Sequence, residues 1–266
     1  TLQTGSTISY SRSTLNSNGS ANQTVTVTMP YQNLAFAGSG AKAPPAGATL
    51  EVKGDLIKDS AAAFFAHNEG TVLLSGTSLQ NYRVLAQPFM EFNNLVNSNT
   101  TGVDVHGTMA IRQKLTLGNN SKISLRNNND IILRSLADTT AWVGQIPATA
   151  VISYQSHTDS GRFVVERHVA HTRNWQLLSV PAKTDQTIYQ SWQDNGSSTA
   201  AASATGFGVQ ITGPGGGNGL DGASFNPSMK YFIAGSTAYT PITVTNTSPA
   251  GLVQRPEGYF LFVYGD

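Results

Sequence analysis

The chain has 266 residues, of which 39% are hydrophobic and 12% are charged, with a formal net charge of +1 and no cysteine. A soluble domain usually carries roughly 25% charged residues, so the polarity of this chain comes mainly from Ser, Thr, Asn and Gln. The balanced charge argues against a nucleic-acid partner. The missing cysteines exclude disulfides and cysteine-ligated metals, and no run of roughly 18 apolar residues predicts membrane insertion.

The first half of the chain is predicted to form short, half-buried β-strands. Thr24–Met29 alternates strictly, so that Val25, Val27 and Met29 share one face, and turns rich in Gly, Asn and Ser separate such runs. Ser60–Ala66 is the one stretch with helical character, but it is short and strand patterns flank it. Further alternating positions are Leu50, Val52, Leu56, Val103, Val105, Met109, Ile111, Leu115, Leu117, Ile123 and Leu125.

An internal repeat indicates how these strands are arranged. Gly19–Val25 resembles Gly76–Tyr82, Tyr31-Gln-Asn-Leu34 resembles Phe92-Asn-Asn-Leu95, and Leu50–Leu56 resembles Val103–Met109. The first two offsets are close to 60 residues and the third is shorter. Short strands that recur in this way and bury one face against their neighbours are typical of a β-solenoid.

The second half changes character near Trp142–Pro147, after which aromatic residues become frequent. Candidate strands there are separated by Gly, Pro and Asn loops, a pattern typical of an antiparallel β-sandwich or jelly-roll-like domain. We therefore predict an all-β protein with a β-solenoid-like repeat region at residues 1–147 and a β-sandwich-like module at residues 148–266. The candidate strands of the second half are Phe163–Arg167, Trp175–Val180, Gly206–Ile211, Tyr231–Ile233, Ile242–Val244 and Tyr259–Val263.

These motifs, in this order, resemble segments of large surface proteins of Bacteroidota that the type IX system secretes. In the first half the likeness comes from the two aromatic-x-Asn-Leu motifs, the Gly54-Asp55 and Gly107-Thr108 pairs and Lys114–Leu117. The second half resembles the module that follows such repeats in the same proteins. The segments that carry this second likeness are Val165–His168, Arg173–Pro181, Ile188–Gln193, Ile211–Pro214 and Gly258–Asp266.

The resemblance implies secretion across the outer membrane and an extracellular or cell-surface location. It implies no catalytic activity, and the roles usually inferred for these proteins are adhesion and surface architecture. We expect the natural polypeptide to continue beyond the strand-like run at Tyr259–Val263. The expected partners are other copies or neighbouring domains of the same surface protein, and glycans.

The sequence contains no arrangement that identifies an enzyme. A Gly-x-Ser-x-Gly elbow is missing, and the 15 acidic residues are scattered without a pair that a glycosidase would need. His168 and His171 are three residues apart and point to opposite faces if they lie on a strand, so they are poorly placed to chelate one metal there. We therefore predict a non-enzymatic protein without an obligatory cofactor.

Several residues are candidates for binding. Asn218 and Asp221 lie in a glycine-rich loop, Gly213–Gly222, and their oxygens suit Ca²⁺, although a long hairpin loop is the simpler interpretation. Trp175, Tyr189 and Trp192 suit a sugar-stacking platform, and packing in a β-sandwich core is the alternative.

Two positions fit the short acidic-hydroxyl-apolar pattern of O-glycosylation in Bacteroidota. They are Ser60, in Asp59-Ser-Ala61, and Thr139, in Asp138-Thr-Thr140.

Two classes of function follow from the sequence. The first is a structural or adhesive segment of a secreted bacterial cell-surface protein, acting as a stalk, an adhesin or a fibre component. The alternative is a carbohydrate-binding module that uses the aromatic second half and Ca²⁺ in the glycine-rich loop.

Overall fold

The structure of the chain, a computed structural model, contains two compact units, Thr1–His168 and Val169–Asp266. It describes residues 14–59, 64–85, 89–126, 129–154, 161–169, 172–179, 186–193, 208–214, 217–224, 226–248, 250–251, 253 and 258–264. Within this part the protein is almost entirely β-structure, as the sequence predicts, and the one helix has four residues. None of the helical structure in these ranges has the length and apolarity that a membrane crossing requires.

The first unit is built from short strands. In chain order they are β1 Thr14–Ser17, β2 Gln23–Thr24, β3 Asn33–Phe36, β4 Ala41–Ala43, β5 Thr49–Val52, β6 Leu56–Lys58, β7 Phe64–Phe65, β8 Thr71–Leu74, β9 Gln80–Val84, β10 Met90–Asn97, β11 Val103–His106, β12 Met109–Leu117, β13 Lys122–Leu125, β14 Ile131–Leu133, β15 Trp142–Val143, β16 Val151–Tyr154 and β17 Phe163–Val165.

All pairings among these strands are parallel. Within each sheet, the strands follow one another in chain order, but neighbours in a sheet are not consecutive in the sequence. One sheet has the order β1-β3-β6-β9-β11-β13-β16, a second has the order β17-β14-β12-β10-β8-β5 with β15 beside β12, and a third has the order β2-β4-β7. Each sheet therefore receives a strand from successive passes of the chain, which defines a β-solenoid. The predicted β-solenoid is confirmed, and it includes β16 and β17, which lie beyond the boundary expected at residue 147.

The solenoid core consists of rows of apolar side chains that stack from coil to coil. On the first sheet Leu34, Leu56 and Tyr82 occupy the same register position, and all are almost completely buried. Alternation with period two directs these residues inward and their neighbours outward. Inside the solenoid, rings also stack between coils, with 5.2 Å between the ring centroids of Phe36 and Phe65.

One coil is much shorter than the offset of about 60 residues seen in the sequence. Side-chain hydrogen bonds between adjacent coils join residues that are 19, 22 or 26 positions apart. The resemblance between Leu50–Leu56 and Val103–Met109 does not mark the length of one coil. Both segments are corners, at which the chain passes from one sheet to another. In the first segment the chain turns from β5 into β6, which belong to different sheets, and in the second it turns from β11 into β12.

A second resemblance also corresponds to a turn. The backbone N–H of Gly19 donates to Oε1 of Gln23 at 2.9 Å, and the N–H of Gly76 donates to Oε1 of Gln80 at the same distance. A Cβ at either glycine would lie 2.8 Å from the glutamine side chain. The repeated Gly-x-x-x-Gln pattern thus specifies a tight turn in which an amide replaces the missing side chain.

Two buried amide side chains, those of Gln80 and Asn99, stabilise the turns that precede β9 and β11. Nε2 of Gln80 donates to the carbonyls of Val52 and Gly54, and its Oε1 also accepts from Nδ2 of Asn99. Oδ1 of Asn99 accepts from the N–H groups of Thr101 and Gly102. Gln80 and Asn99 are almost fully buried, so these bonds satisfy backbone groups that water does not reach.

The second unit is smaller and has a different architecture. Its elements are β18 Asn174–Ser179, α1 Ile188–Ser191, β19 Thr212–Gly213, β20 Gly222–Ala223, β21 Met229–Tyr231, β22 Thr240–Pro241 and β23 Gly258–Val263. Four of these strands form an antiparallel sheet with the order β18-β23-β21-β22, and β19 pairs with β20 in parallel. The antiparallel sheet agrees with the expected β-character of this half.

Candidate functional site

The antiparallel sheet of the second unit is apolar on both faces. Its inner face packs into a core around Met229, Tyr259 and Leu261, each at most 1% exposed. The side chains that alternate with these residues point away from that core. We call this outer surface the aromatic face, and it comprises Trp175, Leu177, Lys230, Phe232, Tyr239, Phe260 and Phe262.

Strand register determines which side chains meet on the aromatic face. Trp175 on β18 pairs with Phe262 on β23, and Leu177 pairs with Phe260. Phe260 in turn pairs with Lys230 on β21. Directly opposed residues in antiparallel strands project to the same side, so the register places aromatic rings from separate strands side by side.

The rings form a chain of contacts across the sheet. The centroid of Trp175 lies 5.3 Å from that of Phe262 and 6.3 Å from that of Phe260. The ring of Tyr239 lies 4.6 Å from Phe260 and 5.4 Å from Phe232. All four pairs are tilted, a favourable arrangement for aromatic side chains.

Much of this apolar surface is open to solvent. Leu177 is 68% exposed, Tyr239 46%, Phe232 40% and Trp175 38%. Single exposed apolar residues are ordinary on protein surfaces, whereas a contiguous group indicates a contact site. The aromatic face has the composition of an interaction surface, because Trp and Tyr are enriched where proteins make contacts.

Two cations lie against the rings. Nζ of Lys230 is 5.0 Å from the centroid of Trp175, and the guanidinium carbon of Arg173 is 5.6 Å from that of Phe262. Among the described residues neither cation forms an ion pair. Within the described part of the chain, the face therefore combines aromatic rings with cations that form no ion pair.

The structure separates the three aromatic residues that the sequence suggests for sugar stacking. Trp175 lies on the aromatic face. Trp192 is next to the inner side, where its ring makes an edge contact with Tyr259 at 5.3 Å and packs against the core. Tyr189 is half-buried in α1, and its N–H donates to the carbonyl of Thr245. Of these three residues, Trp175 alone belongs to the aromatic face.

The proposed calcium ligands lie in a tight hairpin. Asn218 and Gly219 both have positive φ, at 54° and 86°, between the bridged residues Gly217 and Leu220. Such a pair of left-handed residues is typical of a two-residue hairpin turn.

The carboxylate of Asp221 is engaged by donors of the protein. Its Oδ2 accepts from the N–H of Ile211 at 2.6 Å and from Nε2 of Gln193 at 2.9 Å. Within the described ranges no cluster of three or more His, Asp or Glu side chains is arranged for a metal ion. These two hydrogen bonds tie the loop to the segment that enters β19.

Of the two candidate glycosylation positions, Thr139 is described by the structure and Ser60 lies outside the described residues. Thr139 is half-buried in a turn closed by a hydrogen bond from the N–H of Leu136 to its carbonyl, and its hydroxyl lies 3.4 Å from the Asp138 carboxylate.

The outer surface of the solenoid carries charged groups in register. Burial, followed by the positive charge of Arg83 in the neighbouring coil, lowers the pKa of His106. His67, whose Nε2 lies 3.7 Å from Oε1 of Glu91, is the main cause of the lowered pKa of that carboxyl. Ion pairs such as that between Arg126 and Asp104 also lie on this unit.

Most residues of the aromatic face were not predicted from the sequence. Leu177, Lys230, Tyr239, Phe260 and Phe262 were not predicted as site residues. A signal was present, because β23 is apolar at every position from Tyr259 to Val263, and a strand that is apolar on both sides needs two covered faces. Without the register, the inner and outer positions were indistinguishable.

The fold and this surface define a class, namely a β-solenoid followed by a small antiparallel module with an exposed aromatic sheet face. No protein-family model, curated protein or solved structure matches the chain.

Proposed function

We propose that the chain is a non-enzymatic structural and adhesive segment of a secreted bacterial cell-surface protein. In this proposal the solenoid acts as a spacer, because stacked coils bury a continuous core and can extend by repetition. The aromatic face makes the adhesive contact. The observation that carries the proposal is this contiguous and largely exposed group of rings on one sheet face.

The secreted location and the stalk, adhesin or fibre role rest on the resemblance to type IX-secreted proteins. The low fraction of charged residues, 12%, agrees with an extracellular surface built from hydroxyls and amides. We also propose that the second unit is completed as a sandwich-like module. In that module the core around Met229 and Leu261 covers the inner face of the sheet, and a bound partner covers the aromatic face.

A carbohydrate-binding module is the second candidate function. Trp175 and Tyr239 favour it, because both are exposed and both present aromatic rings suited to sugar faces. Oδ2 of Asp221 accepts hydrogen bonds from Ile211 and Gln193, and calcium binding at this loop stays a prediction. Glycosylation of Thr139 stays a prediction, and an added hexose in the intact mass of the native protein would support it.

Retention of coated microspheres under flow tests the adhesive proposal. Microspheres carrying the chain are passed over cellulose, alginate, mucin and collagen films. We expect retention on at least one film, and loss of it for Trp175→Ala. Trp142→Ala is the matched control, because Trp142 is 51% exposed on the solenoid and also has a lysine, Lys114, 4.5 Å from its ring.

Two results would contradict the adhesive role. One is retention no better than that of uncoated microspheres on every film. The other is equal loss of retention for Trp175→Ala and Trp142→Ala, which would show that the aromatic face does not make the adhesive contact. Release of soluble sugars from a polysaccharide film during the assay would contradict the non-enzymatic assignment.

A further inference from the structure

Two cations flank a single ring pair on the aromatic face. Trp175 and Phe262 are paired across β18 and β23, with ring centroids 5.3 Å apart. Lys230 lies over the first ring and Arg173 over the second. The aromatic pair and its two cations therefore form one compact constellation.

Lys230 approaches Trp175 from a strand that is not adjacent to β18. It belongs to β21, and β23 lies between β21 and β18 in the sheet. Its side chain therefore extends above the central strand to bring the ammonium to within 5.0 Å of the Trp175 ring. A lysine so placed keeps its charge on the face, beside the rings.

We propose that this constellation binds an acidic polysaccharide, with a sugar ring against Trp175 and Phe262 and anionic oxygens on Lys230 and Arg173. The inference rests on the proposed adhesive function and names its ligand. The apolar face of a sugar suits exposed rings, and guanidinium and ammonium groups bind carboxylate or sulfate through charge-assisted hydrogen bonds.

The charges of the described residues favour an acidic ligand. Among the described residues of the second unit Asp221 is the one acidic side chain, and its carboxylate is bonded to Ile211 and Gln193. A second copy of the chain is a poorer partner, because face-to-face contact would bring Lys230 and Arg173 near the same cations, and like charges disfavour association.

Calorimetric titration with oligosaccharides tests the proposal. The probes are a polyuronate oligomer from alginate, a sulfated dextran oligomer, and uncharged dextran and cellulose oligomers of similar length. We expect binding of an acidic oligomer and about tenfold weaker binding or none for the uncharged ones. Binding should weaken with added salt, because screening reduces the attraction of exposed charges. The two acidic probes distinguish carboxylate from sulfate.

Variants assign the binding to the constellation. We expect Trp175→Ala to weaken the acidic oligomer about tenfold or more, and Lys230→Ala by roughly three- to tenfold. Lys230→Glu should abolish binding, and it provides a second test of the charge at the same position. Trp142→Ala and Lys114→Ala each remove one member of a tryptophan–lysine pair on the solenoid, and the affinity of these variants should equal that of the unchanged chain.

Several outcomes would overturn the inference. Equal binding of charged and uncharged oligomers, unaffected by Lys230→Glu, would leave the adhesive function intact but exclude an acidic ligand. Retention on the collagen film that needs Trp175, with no saccharide binding, would identify a protein partner. A dimer in sedimentation velocity that Trp175→Ala disrupts would identify a second copy. Failure of every film in the flow assay would instead contradict the proposed function itself.

Discussion

At the scale of single residues, buried amides hold the solenoid corners together. Asn99 uses its Nδ2 to donate to the carbonyl of Ser78 and to Oε1 of Gln80, while its Oδ1 accepts from two backbone N–H groups. No part of this side chain reaches solvent. A buried donor or acceptor that loses its partner costs roughly 1–3 kcal/mol, so these contacts contribute to stability mainly by leaving nothing unsatisfied.

Replacing Asn99 should therefore be costly. Asn99→Ala leaves the N–H groups of Thr101 and Gly102 without their acceptor, and we expect the free energy of unfolding to fall by roughly 1–3 kcal/mol. Asn94→Ala is the control, because Asn94 is half-exposed on β10 and a surface change typically alters stability by less than about 0.5 kcal/mol. Urea denaturation of both variants checks the difference, and equal losses would contradict the assigned role.

His106 should make the stability of the first unit depend on pH. Its folded pKa is lowered by burial and by the charges of Arg83 and Arg126, against the opposing charges of Asp104 and Asp55. Between that lowered pKa and the ordinary value of 6.5, the unfolded chain binds more protons than the folded one. The free energy of unfolding therefore decreases as the pH falls below about 6.5.

Denaturation of the chain and of His106→Gln at pH values from 8 to 5 measures this contribution. We expect a smaller decrease for the variant over the same range. The carboxyl of Glu91 changes stability at more acidic pH, because its pKa is lowered from 4.5, so the two groups are separable. Identical pH profiles for the two proteins would show that His106 does not contribute.

At the scale of elements, each coil depends on corners that leave no room for a side chain. Gly54, between β5 and β6, illustrates this point. A Cβ there would lie 2.0 Å from the carbonyl oxygen of Gln32 and 2.1 Å from Oδ1 of Asn33, both in the preceding coil. Asn33 Oδ1 also accepts the N–H of Asp55 at 2.7 Å, so the corner is pressed directly against the coil beneath it.

Gly54→Ala should weaken the packing between these two coils. We expect a loss of about 2–3 kcal/mol in the free energy of unfolding, because the methyl group meets backbone that cannot move independently. In Gly118→Ala the nearest atoms lie at 3.3–3.5 Å, so a much smaller loss is expected. Thermal denaturation of the two variants compares them, and similar midpoints would show that the Gly54 corner yields easily.

At the scale of the whole molecule, the two units have separate cores. The solenoid core includes Leu34 and Leu115, whereas the second core includes Met229 and Leu261, and no residue belongs to both. A unit with its own core usually unfolds as its own cooperative transition. This division also separates the proposed roles, with the spacer in the first unit and the adhesive contact in the second.

Differential scanning calorimetry should resolve two transitions. We expect Gly54→Ala to lower the midpoint of one transition and Leu261→Ala to lower the other, since removal of a buried leucine side chain costs roughly 2–5 kcal/mol. Each variant leaves the other core unchanged. A single transition that both substitutions shift by the same amount would contradict independent unfolding.

Local patterns in the sequence were sufficient to predict the solenoid. Segments such as Thr24–Met29 alternate strictly, and alternation with period two is a property of the chain itself. The length of one coil was not evident, because the strongest resemblances lie between corners on different sheets. Hydrogen-bond partners that are 19–26 residues apart leave little trace in a sequence when the loops between strands vary in length.

The sequence by itself determined that the protein is all-β, low in charge and solenoidal in its first half, because alternation, turns and composition act over short distances. Tertiary structure decided which aromatic residues lie inside and which lie outside. Trp175 and Trp192 are equally plausible site residues in the sequence. Cross-strand register places the first on an exposed face beside Lys230, because the face on which a strand side chain lies depends on pairing between distant strands. The second follows α1, and its ring lies against Tyr259 because α1 packs on the second core.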